Sequence, residues 1–415
     1  MGDDEQVQAP LGPRPLAGVR VLDLSRVLSG PSCSKALADL GAEVIKLEPP
    51  EGDLTRTAQP RVDGIPVYFA QQNCGKDCIS LDLTRPEAQR IALKLAAEAD
   101  ILLENFRPGV MSRLGLGYDA VHEVNPSLVY CSITGYGQDG PLATRRAYAP
   151  VLHAELGLIE LASRRRRMPP VQEAVSFADF FAGLQATIAV LAALRHRDAT
   201  GEGQHVDISM AETMLQSTEW TAVELAGGEA GRFHVFGGAN APVLHLSDGS
   251  VAIVSGDPVA SFPRWCAVMG RPELLEDPRF ATPADRAAHR TEMAEAMQAF
   301  AAGFDSFDAL EKALAKGSIA SGLMRSLAEV KDADWAEQRG ALTNVGTEQN
   351  PLLLPRSPAR YSVSDAGTSG RPSYQGEDNR RVLQSLLDMS DDEIDRLEGD
   401  GVLIARPPAD RKEPR

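Results

Sequence analysis

The stretch GVRVLDLSRVLSGPSCSKALADLGAEVIKLEPP (Gly18–Pro50) decides the fold. GVRVLDLS has a nearly continuous apolar side and reads as a strand. PSCSKALADLGA reads as a helix, with Gly41 placed to stop it. EVIKLEPP is a second strand. The pattern then repeats. CISLDL (Cys78–Leu83) is a strand, TRPEAQRIALKLAAEAD a helix, ILLENF a strand, RPGVMSRLGLGYDAVHEVN helical in parts, and LVYCSITGYG a strand. Strands alternating with helices imply βαβ units and a parallel sheet. In such folds ligands bind at the carboxyl ends of the strands. The predicted class is α/β, with a large parallel-sheet domain of Rossmann-like order and a smaller α+β domain. Thr84 and Glu87 have the spacing of a capping box at one helix start, and Ser390 and Glu393 at another.

Further on, EAVSFADFFAGLQATIAVLAAL (Glu173–Leu194) reads as a buried helix with Asp179 as its N-cap. Gln185 and the following Arg195, His196 and Arg197 make it a weak membrane span. From about residue 226 to 330 the character changes. Two short strands flank Ser247-Asp248-Gly249-Ser250, a hairpin signal, and Ala-rich helices follow. The expected layout is a disordered leader (1–15), a large domain (16–225), a small domain (226–330) and a C-terminal segment (331–415).

The 415 residues carry 43% hydrophobic side chains, enough for a large core, and a net charge of −16. That charge argues against duplex nucleic acid and anionic membranes as general partners. Five cysteines without dense spacing exclude a secreted disulfide framework and a zinc ligand set, so neither metal nor tightly bound cofactor is expected. The acidic, Pro-rich beginning has no signal-peptide pattern, and a cytoplasmic location is expected. No G-x-G-x-x-G follows the first strand and no P-loop occurs.

ENFRPGVMSRLG sits where a strand feeds a helix, an arrangement suited to anions, with Asn105, Arg107 and Arg113 in it. TGYGQDGPLATRRAY has Gly135, Gly137 and Gly140, which permit close backbone approach to a ligand. Arg164 to Arg167 reverse the local charge and read as a solvated loop. For Asp179 the structural reading is a cap that stabilises its helix by about 1 kcal/mol relative to Ala. The functional reading is a nucleophile whose ionised form the helix dipole favours.

The ordered blocks PLAGVRVLDLSRVLSGPSCSKALADLGAEVIKLEPP, NCGKDCISLDL, ADILLENFRPGVMSRLGLGYD, ITGYGQDGP and ADFFAGLQATIAVLAALRHRDATGEGQHVDISM resemble class III CoA-transferases. That family includes formyl-CoA and carnitine CoA-transferases and α-methylacyl-CoA racemases. The resemblance implies an interlocked homodimer, with the C-terminal segment returning to the large domain. It implies an enzyme that moves CoA from an acyl-CoA donor to a carboxylic acid through an anhydride and a thioester on Asp179, with the CoA thioester as substrate. It carries CoA contacts to Leu28, Ser29, Leu81, Asp82, Leu83, Thr84, Asn105, Phe106, Arg107, Arg113, Arg146, Ala147 and Tyr148. Phe236-Gly237-Gly238 stands where the family has a mobile glycine loop.

Two departures stand out. Leu28 replaces a glutamine of formyl-CoA transferase, and Ala149 stands where many members have an acid. The racemase His-Asp pair is replaced by Tyr148-Ala149, which argues against α-proton exchange. Acyl-CoA racemisation or isomerisation is the alternative activity, and CoA-thioester binding with reduced catalysis is another. His153 and Glu155 are candidates to replace the missing polar groups.

Overall fold

The computed structural model describes residues 12–227 and 241–406. Residues 1–11 of the expected leader and Phe236-Gly237-Gly238 lie outside them. Residues 12–15 are part of the fold: Gly12 bridges to Ser364, and Arg14 is ion-paired with Asp365 at 3.1 Å.

Six strands form one parallel sheet: β1 (Arg20–Asp23), β2 (Glu43–Glu48), β3 (Asp77–Ser80), β4 (Ile101–Glu104), β5 (Val129–Thr134) and β6 (His205–Ser209). Their order is β3-β2-β1-β4-β5-β6. β4 and β5 are wholly buried, as their unbroken apolar runs require. The order reverses between β1 and β4, so the loops after these two strands diverge and leave a crevice between them.

Helix α1 (Ser29–Asp39) follows β1, and Gly41, with φ +103°, ends it. Helix α2 (Pro86–Ala97) starts later than the capping-box spacing predicts. Pro86 occupies the first turn, Arg85 is the cap residue, and the Thr84 hydroxyl donates to Asp82 instead. The Ser390–Glu393 capping box is formed.

Helix α3 (Ala149–Glu155) follows the glycine loop, then α4 (Leu158–Arg166) and the long α5 (Phe177–Thr200). Two expectations change here. Ser176, not Asp179, is the cap residue of α5, and Asp179 lies in its first turn. The helix is also buried on one face only. Ala182, Gly183, Ala186 and Val190 face inward, while Leu184 and Ile188, one turn apart, are 57% and 60% exposed. Its length and hydropathy would suffice to cross a membrane.

Two compact units emerge. Among the described residues the first comprises the chain up to Leu156, Glu173–Thr218 and everything from Asp334 onward. Its core packs Leu22, Ile45 and Leu102 of the sheet with Ile91 and Leu95 of α2. Val382, Leu383, Ile394 and Leu397 of the C-terminal helices complete that core. Side chains of the C-terminal segment also cover the outer strand: Cys78 N–H donates to Asp378 (2.8 Å) and Ser80 N–H to Asn379 (2.9 Å).

The second unit is Gly157–Gln172 with Glu219–Ala333. It holds a three-stranded antiparallel sheet and helices around Phe262, Trp265, Met293 and Leu314. Residues 157–172, expected in the large domain, group here for a visible reason. Arg164, expected on a solvated loop, lies in α4 and pairs with Glu160 (2.8 Å) and Glu224 (2.7 Å). The Arg165 guanidinium sits 3.3 Å from the Trp220 ring centre.

Candidate functional site

A cleft of about 650 Å³ lies at the carboxyl ends of β1, β4 and β5, where the strand order reverses. The loop after β1 contributes Arg26, Leu28 and Ser29 to its wall. The loop after β4 contributes Asn105, Phe106 and Arg107. Ala147, Tyr148 and Ala149 close another side, and Asp179 reaches in from the start of α5. A neighbouring hollow of about 230 Å³ is lined by Asp82, Leu83 and Thr84. Arg26, Phe106 and Val110 line both, so the two are joined along one wall. Of the other expected contacts, Leu81 is fully buried in the core. Arg113 and Arg146 are exposed and line neither space.

Asp179 is the carboxylate of this cleft. The backbone N–H groups of Ser29 and Ala149 face it and favour its charged form. Ser29 is the first residue of α1 and Ala149 the first of α3. Three helix N-termini therefore converge on one carboxylate, their partial positive charges facing it. Burial nevertheless pushes the Asp179 carboxyl up, from 3.8 to about 6, the Ala149 and Ser29 N–H groups holding it back. The group is still ionised at neutral pH but more basic than an exposed aspartate.

The close approach of α1 and α5 is made possible by Gly183, one turn after Asp179. A Cβ there would lie 2.0 Å from Ser32 Oγ and 2.7 Å from the Ser29 carbonyl oxygen. Asn105, expected as a CoA contact, staples the β1 loop. Its Oδ1 accepts from Arg26 N–H (2.8 Å), and its Nδ2 donates to Arg26 O (2.8 Å) and Ser29 Oγ (3.1 Å). Glu104 steadies the next turn by accepting Phe106 N–H at 2.8 Å, and burial pushes its carboxyl up to about 7.

The residues suggested as replacements for lost polar groups do other work. His153 is fully buried and its Nε2 accepts the Ala178 N–H at 3.2 Å, so it caps α5. Glu155 is held by Arg145 and the Tyr136 hydroxyl. Neither lines the cleft. Sequence reasoning also passed over Arg26, Tyr68 and Arg145, which do line it. An arginine two residues before Leu28 was the available signal for Arg26. Its guanidinium lies 5.1 Å from the Phe106 ring centre and its Nη1 3.5 Å from Glu51. Its Nε is buried without a hydrogen-bond partner.

A family model described as CoA-transferase family III matches residues 16–379. The chain belongs to that family. It is similar to the acetyl-CoA:oxalate CoA-transferase of Acetobacter aceti, at 35% identity over 85% of this chain and 90% of that one. It is also similar to the mouse succinyl-CoA:glutarate CoA-transferase, at 32% identity over 94% of this chain and 90% of the other. Among solved structures, a CAIB/BAIF family protein from Brucella suis superposes with a TM-score of 0.79 at 32% identity, covering 90% of this chain and all of that one. CoA transfer is thus the general activity of this family III CoA-transferase, and CoA thioesters are its substrates.

Proposed function

We propose that this protein moves CoA from an acyl-CoA donor to a carboxylic acid acceptor by covalent catalysis at Asp179. One observation carries the reading: the Asp179 carboxylate lines the cleft at the starts of α1, α3 and α5, whose backbone N–H groups favour its charged form. Attack of the carboxylate on the thioester carbonyl forms an anhydride and releases CoA thiolate. The thiolate then attacks the aspartyl carbonyl, giving an aspartyl-CoA thioester and free donor acid. The acceptor carboxylate displaces CoA to form a second anhydride, from which the thiolate takes the acceptor acyl group and restores Asp179. N–H donors beside the reacting carboxyl supply the stabilisation that its developing oxyanions need. A raised pKa makes the carboxylate a better nucleophile while leaving it ionised at neutral pH.

Arg26 and Arg107 supply positive charge to the cleft for the CoA phosphates. The hollow beside Asp82, Leu83 and Thr84 is assigned to the remote end of CoA. The named relatives act on succinyl and acetyl thioesters, and we assign a short acyl donor to this chain on that ground. The exposed Leu184–Ile188 face of α5 supports a homodimer, measurable by light scattering. Five buried, unpaired cysteines support a reducing, cytoplasmic setting.

The test is a panel of succinyl-CoA, acetyl-CoA and formyl-CoA followed by peptide mass analysis. An acyl or CoA adduct on the Asp179 peptide, absent from Asp179→Ala, is expected. Deuterium uptake at the α-carbon in heavy water without any adduct would replace this reading with racemisation.

A further inference from the structure

The loop that delivers Ser29 to Asp179 contains an unusual residue. Val27 has φ +66°, a left-handed conformation that a β-branched side chain strongly disfavours. A buried ion pair holds it there. Val27 N–H points at both oxygens of Asp53, at 3.3 Å and 3.2 Å. Asp53 Oδ2 lies 3.0 Å from Lys46 Nζ, and both side chains are fully buried. Lys46 Nζ in turn donates to Ser25 O at 2.8 Å. The pair therefore grips the turn on both sides of Arg26, at Ser25 and at Val27, the latter two residues before the Ser29 amide. Neither side chain lines the cleft. A buried ion pair is a poor way to stabilise a fold, since apolar side chains of similar volume often serve as well or better.

We propose that Lys46 and Asp53 are positioning residues of the transfer reaction: they hold Val27 left-handed and so aim the Ser29 N–H at the Asp179 carboxylate. This rests on the reading of Asp179 as nucleophile. The charged groups facing the pair are Asp23, Glu48, Arg56 and Lys76, with the Cys78 thiol beside Lys46; Tyr68 is a titratable neighbour of both Asp179 and Asp53.

Asp53→Asn is the first test. Asp53 Oδ1 accepts Thr55 N–H (2.9 Å) and Thr55 Oγ1 (2.8 Å), while Oδ2 faces the lysine. An asparagine must turn its NH2 toward one set of donors, so the grip is lost. The second variant is Lys46→Met/Asp53→Leu, which removes the grip with apolar side chains and is compatible with folding.

Labelling of the Asp179 carboxyl in the full-length protein by an isoxazolium reagent, followed by peptide mass across pH, reads its titration without any substrate. Losing a donor to the charged form moves the midpoint up by about half to one pH unit. Removing a negative charge alone would move it down, and the double variant leaves net charge unchanged. A rise in both variants therefore reports the misplaced amide. In the panel assay the maximal adduct rate falls about tenfold or more, with half-saturating donor little changed. A wild-type midpoint in the folded double variant, where no net charge is lost, would overturn the proposal and leave the pair as support for the fold alone. Absence of any adduct in the wild type sinks the nucleophile reading instead, and the labelling distinguishes the two failures.

Discussion

Gly183→Ala tests whether the contact between α1 and α5 sets the geometry of the nucleophile. In an ordinary helix interior the change is favourable, by about 1 kcal/mol. Here the new methyl would meet Ser32 Oγ at 2.0 Å and the Ser29 carbonyl oxygen at 2.7 Å. Ser32 can rotate away, at the loss of its hydrogen bond to that same carbonyl (2.9 Å). The Ser29 carbonyl belongs to the first turn of α1 and moves only with its backbone, by the better part of an ångström. Overpacking of this kind costs about 1–3 kcal/mol, so the net effect is a loss of up to about 2 kcal/mol. The larger effect falls on activity, because Ser29 also carries an N–H that faces the Asp179 carboxylate and favours its charged form. Misplacement on this scale costs about tenfold to a hundredfold in rate. Thermal unfolding and the single-turnover rate of Asp179 adduct formation measure the two effects. A variant as active as wild type, and more stable by the helix propensity of alanine, would refute the reasoning.

The elevated Asp179 carboxyl makes a signed prediction. Activity that needs the carboxylate falls about tenfold per unit as pH drops below about 6. Stability moves the other way. The folded pKa lies above the ordinary 3.8, so the folded state binds more protons between about pH 4 and pH 6 and loses stability as pH rises through that window. Relative to Asp179→Asn, the wild type loses about 2 kcal/mol between pH 4 and pH 7, read from urea midpoints. Asp23→Ala, which strands the buried Lys76 ammonium now 3.1 Å from it, destabilises by about 3–5 kcal/mol in urea denaturation. Arg26→Ala raises the half-saturating acyl-CoA concentration about tenfold, with a smaller effect on the maximal rate.

The sheet was legible because strands buried on both faces leave continuous apolar runs, as in VYCSIT and ILLE. The grip on Asp179 was not. Ser29 and Ala149 act through backbone N–H groups, which every residue but proline carries, so no side-chain pattern announces them. For the same reason the lost acid at position 149 leaves its amide in place. Lys46 in EVIKLE reads as a charged residue turned to water, yet it is fully buried, because its partner Asp53 comes from the next loop. Thr84 had the spacing of a cap, but Pro86, whose fixed φ suits the first turn, puts the cap at Arg85 instead. The assignment of residues 157–172 depends on partners more than fifty positions away, Trp220 and Glu224.

The side chains that cover the outer strand have a consequence for biosynthesis. Cys78 and the Asp378 that takes its amide are 300 residues apart. At the usual pace of translation, about 5–20 residues per second, the strand waits about 15–60 s for its cover. Throughout that interval the nascent chain offers a hydrogen-bonding edge to any other unfolded strand nearby. Ribosome stalling after the sheet, or a premature stop before Asp378, would prolong that exposure, so the yield of soluble protein depends on the chain being finished promptly as well as on its stability once made.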